Sequence, residues 1–256
     1  MSYSFKAAAA AAVIGVAAFA AQDASASTIS ITGISGSWIV TDPGAPAVTG
    51  QGTDEIKWGD PAPPNTQQSG YKFAAQGVPF AAAKDTAFTL GTFTHFNFPV
   101  FAPSLESATL RVSFDFDVLD ESNNVIATFT NITSDFDFLH WETTNNENPC
   151  ADGGPNNVGV NINGCADQVK ATTNPASSMA FTIGDEDFVF DVLGFKVGDD
   201  LLSEFWTAEN KTNSAQLQAR WTSTKNLAPI PLPAAGWLLL AGIGGLAAVG
   251  RRRKAT

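Results

Sequence analysis

The chain is poor in cysteine, histidine and basic residues, and each shortage excludes a class of protein. Its 256 residues include two cysteines and two histidines, and two cysteines are too few for a disulfide-dense miniature scaffold. Charged residues make up 15% of the chain, against roughly 25% in an average globular domain. Residues 27–230 carry nine basic and 24 acidic side chains, a net charge of −15. This charge repels phosphate backbones and excludes nucleic acid as a partner.

The sequence also lacks the short motifs that position a catalytic nucleophile, a catalytic zinc ion or a bound phosphate. No G-x-S-x-G, H-E-x-x-H or P-loop pattern occurs in it. Residues 242–247 match G-x-G-x-x-A, but they lie inside an apolar run and follow no strand. We therefore predict that the protein is not an enzyme and that it has neither catalytic nor cofactor-binding residues.

The first 26 residues have the three parts of a secretory signal peptide. Lys6 supplies the positive start, residues 7–21 form an apolar run, and Ala24-Ser25-Ala26 provides an A-x-A cleavage site. We predict a signal peptide over residues 1–26, with the Sec machinery and signal peptidase as its partners.

The C-terminal segment, residues 230–256, joins a proline-rich stretch, an apolar run and a basic end. The apolar run covers residues 234–250 and spans about 25 Å as a helix, at the short end of what crosses a bilayer. The basic tail over residues 251–254 is Arg251, Arg252, Arg253 and Lys254. Because such cations hold their end of a helix on the cytoplasmic side, we predict one transmembrane helix and a body outside the cytoplasm.

The stretch before the apolar run is rigid and cannot continue a helix. Its residues are Pro231, Leu232, Pro233 and Ala234. Together with the apolar run and the basic tail, they resemble the PEP-CTERM family of sorting tails in its Pro-Leu-Pro-Ala form, with Leu232 where the PEP form has Glu. The resemblance implies a transient stay in the inner membrane of a Gram-negative bacterium and cleavage by an exosortase-like membrane protease. The alternative is a permanent single-pass anchor.

Between the two terminal segments, residues 27–229 alternate like strands and show no convincing long helical period. From Leu110 to Val118 every second residue is apolar, and the residues between them are polar or charged, which is typical of a half-buried strand. Many short runs of this kind, separated by Gly, Pro and Asn, predict one all-β domain. We expect an antiparallel β-sandwich of jelly-roll type.

Three connecting segments carry more specific expectations. Asn123-Asn124 joins two alternating runs and predicts a hairpin turn. Residues 60–65, with three prolines, predict a loop. The one helical piece expected in the body is short and lies around residues 201–206.

A motif in the body resembles a family of exported proteins. Its residues are Thr94, His95, Asn97 and Pro99. They match the T-H-x-N motif, and the segments 57–61, 68–73 and 163–169 resemble the related choice-of-anchor K domain. The resemblance implies an exported β-rich protein with no established enzymatic activity, and it supplies no catalytic residues.

The two cysteines, Cys150 and Cys165, bracket a loop rich in Asn and Gly. An exported chain meets oxidising conditions, so the pattern predicts a disulfide that stabilises the fold by roughly 3 kcal/mol for a loop of about 15 residues. A zinc site would need His95 and His140 to converge with both thiolates. No C-x-x-C or H-x-x-x-H spacing supports such a site, and we predict no bound metal.

His95 and Asn97 share one face of the strand expected at the T-H-x-N motif, because residues two apart point the same way. One interpretation is a catalytic or ligand-binding pair. The other is a buried polar pair satisfied by backbone groups, which we favour because no nucleophile motif accompanies it. His140, beside Trp141 and Glu142, has the same two interpretations.

Aspartates two residues apart form local concentrations of negative charge, as at Asp135 and Asp137. We interpret them first as a solvated outer strand face, which opposes aggregation through strand edges. A weak calcium site is the second interpretation, and the acid and base of a glycosidase the third. The candidate calcium ligands are Asp115, Asp117, Asp185 and Asp187.

Two classes of function fit these features. The first is an exported, surface-sorted, non-enzymatic protein, a structural or adhesive component of the envelope or of an extracellular polysaccharide matrix. Its link to exopolysaccharide comes from the resemblance alone. The alternative is a carbohydrate-binding or glycan-cleaving secreted module that uses Trp58, Trp141 or Trp206 as a sugar platform. Exposed, coplanar indole rings would support the alternative, whereas buried rings would remove its support.

Overall fold

The computed structural model describes residues 28–119, 122–172, 180–183 and 186–225. The predicted signal peptide, the C-terminal sorting segment with its transmembrane helix, and Asp185 lie outside the described residues. Within the described ranges, no helix has the length and apolar character needed to cross a membrane.

The described residues form sixteen strands and a 3₁₀-helix (Gly159–Asn161), with no α-helix among them. In chain order the strands are β1 (Thr28–Asp42), β2 (Val48–Thr49), β3 (Glu55–Trp58), β4 (Asp60–Pro61), β5 (Ser69–Ala75), β6 (Phe80–Ala83), β7 (Phe88–Asn97), β8 (Val100–Phe101), β9 (Ser107–Leu119), β10 (Val125–Trp141), β11 (Asp167–Thr172), β12 (Ala180–Ile183), β13 (Glu186–Val197), β14 (Asp200–Leu202), β15 (Glu204–Thr207) and β16 (Lys211–Lys225). All pairings between these strands are antiparallel. The predicted all-β, antiparallel class is confirmed.

Two sheets contain nearly all of the strands. The first sheet has six strands in the order β15-β11-β10-β9-β1-β6, and the second has the order β12-β13-β16-β7-β5-β3-β2, with β14 paired to β13. Strands β4 and β8 form a separate small pair. The long strands β9 and β10 follow each other in sequence and pair as an antiparallel hairpin.

The two sheets share one hydrophobic core, an arrangement consistent with a β-sandwich. Phe114 of β9 stacks on Phe190 of β13 with ring centroids 5.1 Å apart, and Phe93 of β7 stacks on Phe138 of β10 at 5.5 Å. Each of these contacts joins a strand of the first sheet to one of the second. Burial of a phenylalanine side chain contributes about 1.5–3 kcal/mol, so the aromatic layer between the sheets is a major source of stability.

The alternation predicted for β9 is confirmed. Its five apolar residues from Leu110 to Val118 are buried, and the polar residues between them are more exposed. The predicted turn is also confirmed, because Asn123 lies between β9 and β10 with φ of 61°. Asparagine tolerates this left-handed region better than most residues.

Two expectations for the connecting segments are corrected. The helical piece expected around residues 201–206 is wrong, because this segment supplies β14 and β15. The side chains of β15 alternate with the two-residue period of a strand, whereas those of β14 are all exposed. The turn at Gly198, with φ of 62°, folds β14 back onto β13. In the loop predicted over residues 60–65, the first two residues form β4 and pair with β8.

Candidate functional site

A group of buried polar side chains lies between the two sheets, next to the connection that carries the disulfide. We call it the buried polar cluster, and its members are His95, His140, Glu142, Asp167 and Glu209. The potential ligand atoms of His95, His140 and Asp167 all lie within 4.8 Å of one another. Those of Glu142, Asp167 and Glu209 do so as well, so Asp167 belongs to both groups.

Both sheets contribute to the buried polar cluster. His95 lies on β7 of the second sheet, whereas His140 on β10 and Asp167 at the start of β11 belong to the first sheet. Glu142 directly follows β10, and Glu209 lies between β15 and β16. The cluster therefore forms only when the two sheets pack together.

The strand alternation explains why these side chains point inward. On β7 the inward positions are Phe93, His95 and Asn97, as predicted for the shared face of His95 and Asn97. On β10 the inward series ends with Phe138 and His140. Each histidine occupies a position where the pattern of its strand otherwise places an apolar residue.

The hydrogen bonds of His95 determine which ring nitrogen carries the proton. Its Nδ1 lies 2.9 Å from the hydroxyl of Thr207, and that hydroxyl donates its one hydrogen to the carbonyl of Asp167 at 3.0 Å. Nδ1–H must therefore be the donor to Thr207. Burial, with a smaller effect of His140, holds the pKa of His95 well below its usual range. The ring is therefore neutral, and Nε2 carries an unprotonated lone pair.

The environment of His140 is similar. Its Nδ1 shares a hydrogen bond of 2.6 Å with the hydroxyl of Tyr71, while Nε2 lies 3.4 Å from Oε2 of Glu142. Burial lowers the pKa of His140 to about 4, although the charge of Asp167 opposes this shift. Both imidazoles of the chain are thus neutral near pH 7, the form in which histidine binds metal ions.

Three carboxyl groups approach one another in the buried polar cluster. Oδ1 of Asp167 accepts the backbone N–H of Thr143 at 2.7 Å. Burial raises the pKa of Glu142 and of Glu209 to about 7, and it raises the pKa of Asp167 well above its usual range. The charge of Glu142 adds to the shifts of the other two. These carboxylates lack compensating positive charge.

Several polar atoms of this region have no hydrogen-bond partner among the described residues. They include Nε2 of His95, Oδ2 of Asp167, Oε1 of Glu209 and Oδ1 of Asn97. Asn97 Nδ2 does donate to the carbonyl of Thr207 at 3.0 Å. The predicted burial of His95 and Asn97 is confirmed. Of their polar atoms, Asn97 Nδ2 is satisfied by a backbone group and His95 Nδ1 by the Thr207 side chain, while Nε2 of His95 and Oδ1 of Asn97 have no partner among the described residues. Buried polar groups are nearly always paired, so this concentration of unpaired atoms marks the cluster as the candidate functional site.

Aromatic rings enclose the histidines. The indole of Trp58 stacks on His95 with centroids 5.8 Å apart, and Tyr71 contacts the edges of both imidazoles. Solvent approaches from the side of Glu142, whose side chain is 20% exposed. It lines a surface depression of about 700 Å³ together with Pro103, Glu106 and Trp141.

The disulfide connection positions Asp167. Cys150 and Cys165 are bonded, with Cα atoms 5.3 Å apart, which confirms the predicted disulfide. Thr143 donates its hydroxyl to the carbonyls of Cys165 and Ala166, and the side chain of Asn161 accepts the N–H of Ala166 at 2.7 Å. The residues just before Asp167 are thereby fixed to the end of β10.

Sequence reasoning missed Asp167 and Glu209, and it considered a joint site for the two histidines only with the thiolates, a site that it rejected. The imidazoles of His95 and His140 do converge, with centroids 5.1 Å apart. They meet Asp167 rather than the thiols, because the two cysteines are bonded to each other. The available signal was an acidic residue in register with the inward residues Val169 and Ala171 of β11.

The other T-H-x-N residues have local structural roles. Thr94 points outward, and its hydroxyl lies 3.0 Å from that of Ser214 on the neighbouring strand. The carbonyl of Pro99 accepts the backbone N–H of Ala62 and the side-chain amide of Asn65, each at 3.0 Å. The motif thus supplies one side chain, His95, to the candidate ligand groups of the buried polar cluster.

The aspartates proposed as calcium ligands lie apart. Asp115 and Asp117 are on the outer face of the first sheet, where they accept the N–H of Asn131 at 2.8 Å and the hydroxyl of Thr128 at 2.6 Å. Asp187 belongs to the second sheet and accepts the hydroxyl of Thr182. Among the described candidates, Asp115 and Asp117 do not meet Asp187 in one site, and their hydrogen bonds to neighbouring strands fit a solvated outer face.

The three tryptophans proposed as a sugar platform differ in exposure. Trp58 is fully buried, whereas Trp141 is 53% exposed and Trp206 is half-buried. The rings of Trp141 and Trp206 lie 6.4 Å apart with planes inclined by 55°, so they are adjacent but not coplanar. Comparisons with protein-family models and with curated proteins find no match to the chain.

Proposed function

We propose that the protein is an exported, non-enzymatic β-sandwich of jelly-roll type that is sorted to the cell surface. There it serves as a structural or adhesive component of the envelope or of an extracellular polysaccharide matrix. The observation that carries the proposal is the bond between Cys150 and Cys165, because structural disulfides persist in oxidising, extracytoplasmic compartments. The resemblance of residues 94–99 to the T-H-x-N motif and of residues 230–256 to PEP-CTERM tails agrees with the same destination.

The burial of both histidines supports a non-enzymatic role. The imidazole of His95 is fully buried under Trp58, and His140 is enclosed by Tyr71 and Glu142. A catalytic acid or base must come within hydrogen-bond reach of its substrate. Both imidazole side chains are fully buried, so neither presents a nitrogen to a substrate in solution.

The proposed route begins with the Sec machinery and signal peptidase, which removes residues 1–26. The body then stays on the periplasmic side of the inner membrane, held by the transmembrane helix and by Arg251, Arg252 and Arg253 on the cytoplasmic side. An exosortase-like protease cuts near the Pro231–Ala234 motif, and the body passes to the surface or the medium.

Intact-mass analysis of protein recovered from the surface and the medium tests this route. We expect a chain that begins near Ser27, has lost the basic tail and carries one disulfide. A parallel measurement in a strain lacking the sorting protease should show the body retained in the inner membrane. A surface chain that still ends at Thr256, or mature protein with two free thiols, would contradict the proposal.

A carbohydrate-binding module is the second candidate, and one observation favours it. The exposed Trp141 lies beside Trp206 and lines the same depression as Glu106, and such a combination of an aromatic surface and polar groups suits a sugar. Glycan cleavage has less support, because Asp135 and Asp137 are engaged by Arg111 and Thr109 on the outer sheet face.

Binding to the exopolysaccharide of the producing cell distinguishes the two candidates. Trp141→Ala should weaken binding by more than tenfold if the indole is a sugar platform. Leu139→Ala is the matched control, since Leu139 is exposed on the same face of β10. Equal binding by the wild type and both variants would remove the support for this candidate.

A further inference from the structure

We propose that the buried polar cluster binds one divalent first-row metal ion, of which Zn²⁺ is the representative. The ligands are Nε2 of His95, Nε2 of His140 and Oδ2 of Asp167. Glu142 and Glu209 lie beside this triad, where they supply further oxygen ligands or balance the charge of the ion. The site joins the second sheet, through His95, to the first sheet.

The spacing of the three ligands fits a shared ion. Two ligands of a zinc ion, each about 2.1 Å from the metal, lie at most about 4.2 Å apart. One candidate ligand atom from each of the three residues lies within 4.8 Å of those of the other two, so a small inward movement of the side chains brings them to this spacing. Nε2 of His95 and Oδ2 of Asp167 are both buried, and neither hydrogen-bonds to any described residue. An unprotonated imidazole nitrogen and a carboxylate oxygen are both acceptors and cannot satisfy each other, whereas one ion between them satisfies both.

The surrounding hydrogen bonds orient the ligands as metal sites require. Thr207 binds Nδ1 of His95 and leaves the lone pair of Nε2 directed into the cluster. Nδ1 of His140 shares a hydrogen bond with the Tyr71 hydroxyl; for Nε2 to ligate, Nδ1–H is the donor to Tyr71 and Nε2 exchanges its contact with Oε2 of Glu142, now 3.4 Å away, for the ion. The N–H of Thr143 occupies Oδ1 of Asp167. Partners on the non-ligating atom are the usual means by which a protein fixes ring tautomer and ligand orientation at a metal.

The charge of the cluster points to a cation. Three carboxyl groups lie within 4.8 Å of one another, and the imidazole rings of His95 and His140 lie beside Asp167 with their centroids 5.1 Å apart. A divalent ion would compensate two of the three negative charges when the acids ionise. Within the described part of the chain, these acids form no salt bridge to a lysine or an arginine.

The ligand types decide between classes of ion. Calcium and magnesium take oxygen ligands, whereas imidazole suits zinc, iron, nickel and copper. Two histidines with a carboxylate therefore favour a first-row transition ion. This site differs from the calcium candidates on the outer sheet faces in both its position and its chemistry.

The test uses the untagged chain as the producing cell matures it, stripped with a chelator and titrated with Zn²⁺ alone. We expect one tightly bound ion per chain, a rise in melting temperature on zinc addition, and two imidazole nitrogens at about 2.0–2.1 Å in X-ray absorption of the bound zinc. Because the chain has only two histidines, an imidazole signal assigns the site without any variant. No zinc bound at one equivalent, or bound zinc without imidazole ligands, would overturn the proposal.

Variants provide an independent test of the carboxylate. Asp167→Asn keeps an oxygen for the N–H of Thr143 and should weaken zinc binding at least tenfold. Asp117→Asn is the control, because it removes a carboxylate from the outer face of the first sheet and should leave zinc affinity unchanged. A folded Asp167→Asn protein with wild-type affinity would overturn the proposal. If this variant does not fold, the X-ray absorption of the wild type decides. None of these readouts depends on how the protein is sorted.

Discussion

The interior between the two sheets has an apolar part and, next to it, a polar part, and the two differ in what stabilises their side chains. On β7 and β10, Phe93 and Phe138 stack with nearly parallel rings, and one inward position further along the same strands His95 and His140 meet edge to face. The phenylalanine pair is stabilised by burial of its rings and by their stacking. The histidine pair, with its acidic neighbours, is buried at a cost that hydrogen bonds or an ion must offset. The same two-residue alternation of inward positions on β7 and β10 therefore produces a hydrophobic core at one pair of positions and a polar candidate site at the next.

The largest expected effect concerns the apolar part. Phe138→Ala removes a fully buried ring between the sheets and should lower the free energy of unfolding by about 3–5 kcal/mol. Chemical denaturation measures this loss. Leu139→Ala, next to it on the exposed face, should change stability by less than about 1 kcal/mol. Similar losses for both variants would show that the aromatic layer does not stabilise the fold.

The disulfide should have the next largest effect, and it acts on the polar part. Replacing both Cys150 and Cys165 by Ser opens a loop of 15 residues and should cost about 3 kcal/mol. Since Cys165 precedes Asp167 by two residues, zinc affinity should fall as well. Denaturation and zinc titration of the double variant measure the two effects. If the free energy of unfolding and the zinc affinity were both unchanged, the disulfide would neither stabilise the fold nor position Asp167.

His95→Ala should weaken the polar part without abolishing any reaction. In metal-free protein it leaves buried partners unpaired and should lower the free energy of unfolding by about 1–3 kcal/mol. The wild type should show no turnover on ester, peptide or glycan substrates. Thr94→Ala, on the outer face of the same strand, is the control. Robust turnover that disappears in a fully stable His95→Ala protein would instead make His95 catalytic.

The stability of the metal-free protein should depend on pH through Glu209, a member of the buried polar cluster. The folded-state pKa of Glu209 is raised from 4.5 to about 7 by burial and by Glu142, so the folded state binds more protons between these values. Its contribution to stability is present below pH 4.5 and is lost as the pH rises through about 7. Relative to the neutral Glu209→Gln variant, the wild type should therefore lose on the order of 2 kcal/mol between pH 5 and pH 8. Melting curves of both proteins at the two pH values measure this difference, and parallel pH profiles would contradict it.

The sequence predicted local features of the fold better than it predicted the site. The alternation of β9, the turn at Asn123 and the inward direction of His95 all follow from periods of two residues and from the conformational preference of asparagine. The segment around residues 201–206 was predicted incorrectly, since its conformation is decided by pairing: β14 folds back on β13, and β15 pairs with β11, which is distant in sequence.

The buried polar cluster depends on contacts that no local pattern contains. His95 and His140 lie on strands of different sheets, and Asp167 reaches them through a connection closed by the disulfide. Glu209 lies in a turn, where strand alternation makes no prediction. A polar residue at an inward strand position, such as Asp167, can be recognised in the sequence as an exception to the apolar alternation. Which of these residues come together depends on how the two sheets pack, and the sequence pattern does not contain that information.

The most direct test of the contrast between the two parts is native mass spectrometry of the untagged protein, purified without added metal or chelator. We expect a disulfide-bonded chain that carries one divalent first-row ion and releases it when the carboxyl groups are protonated in acid. The Asp167→Asn chain should have the same disulfide and lack the ion. A folded, disulfide-bonded wild-type chain whose mass includes no metal, and which takes up none from one equivalent of Zn²⁺, would show that the buried polar cluster is not a metal site.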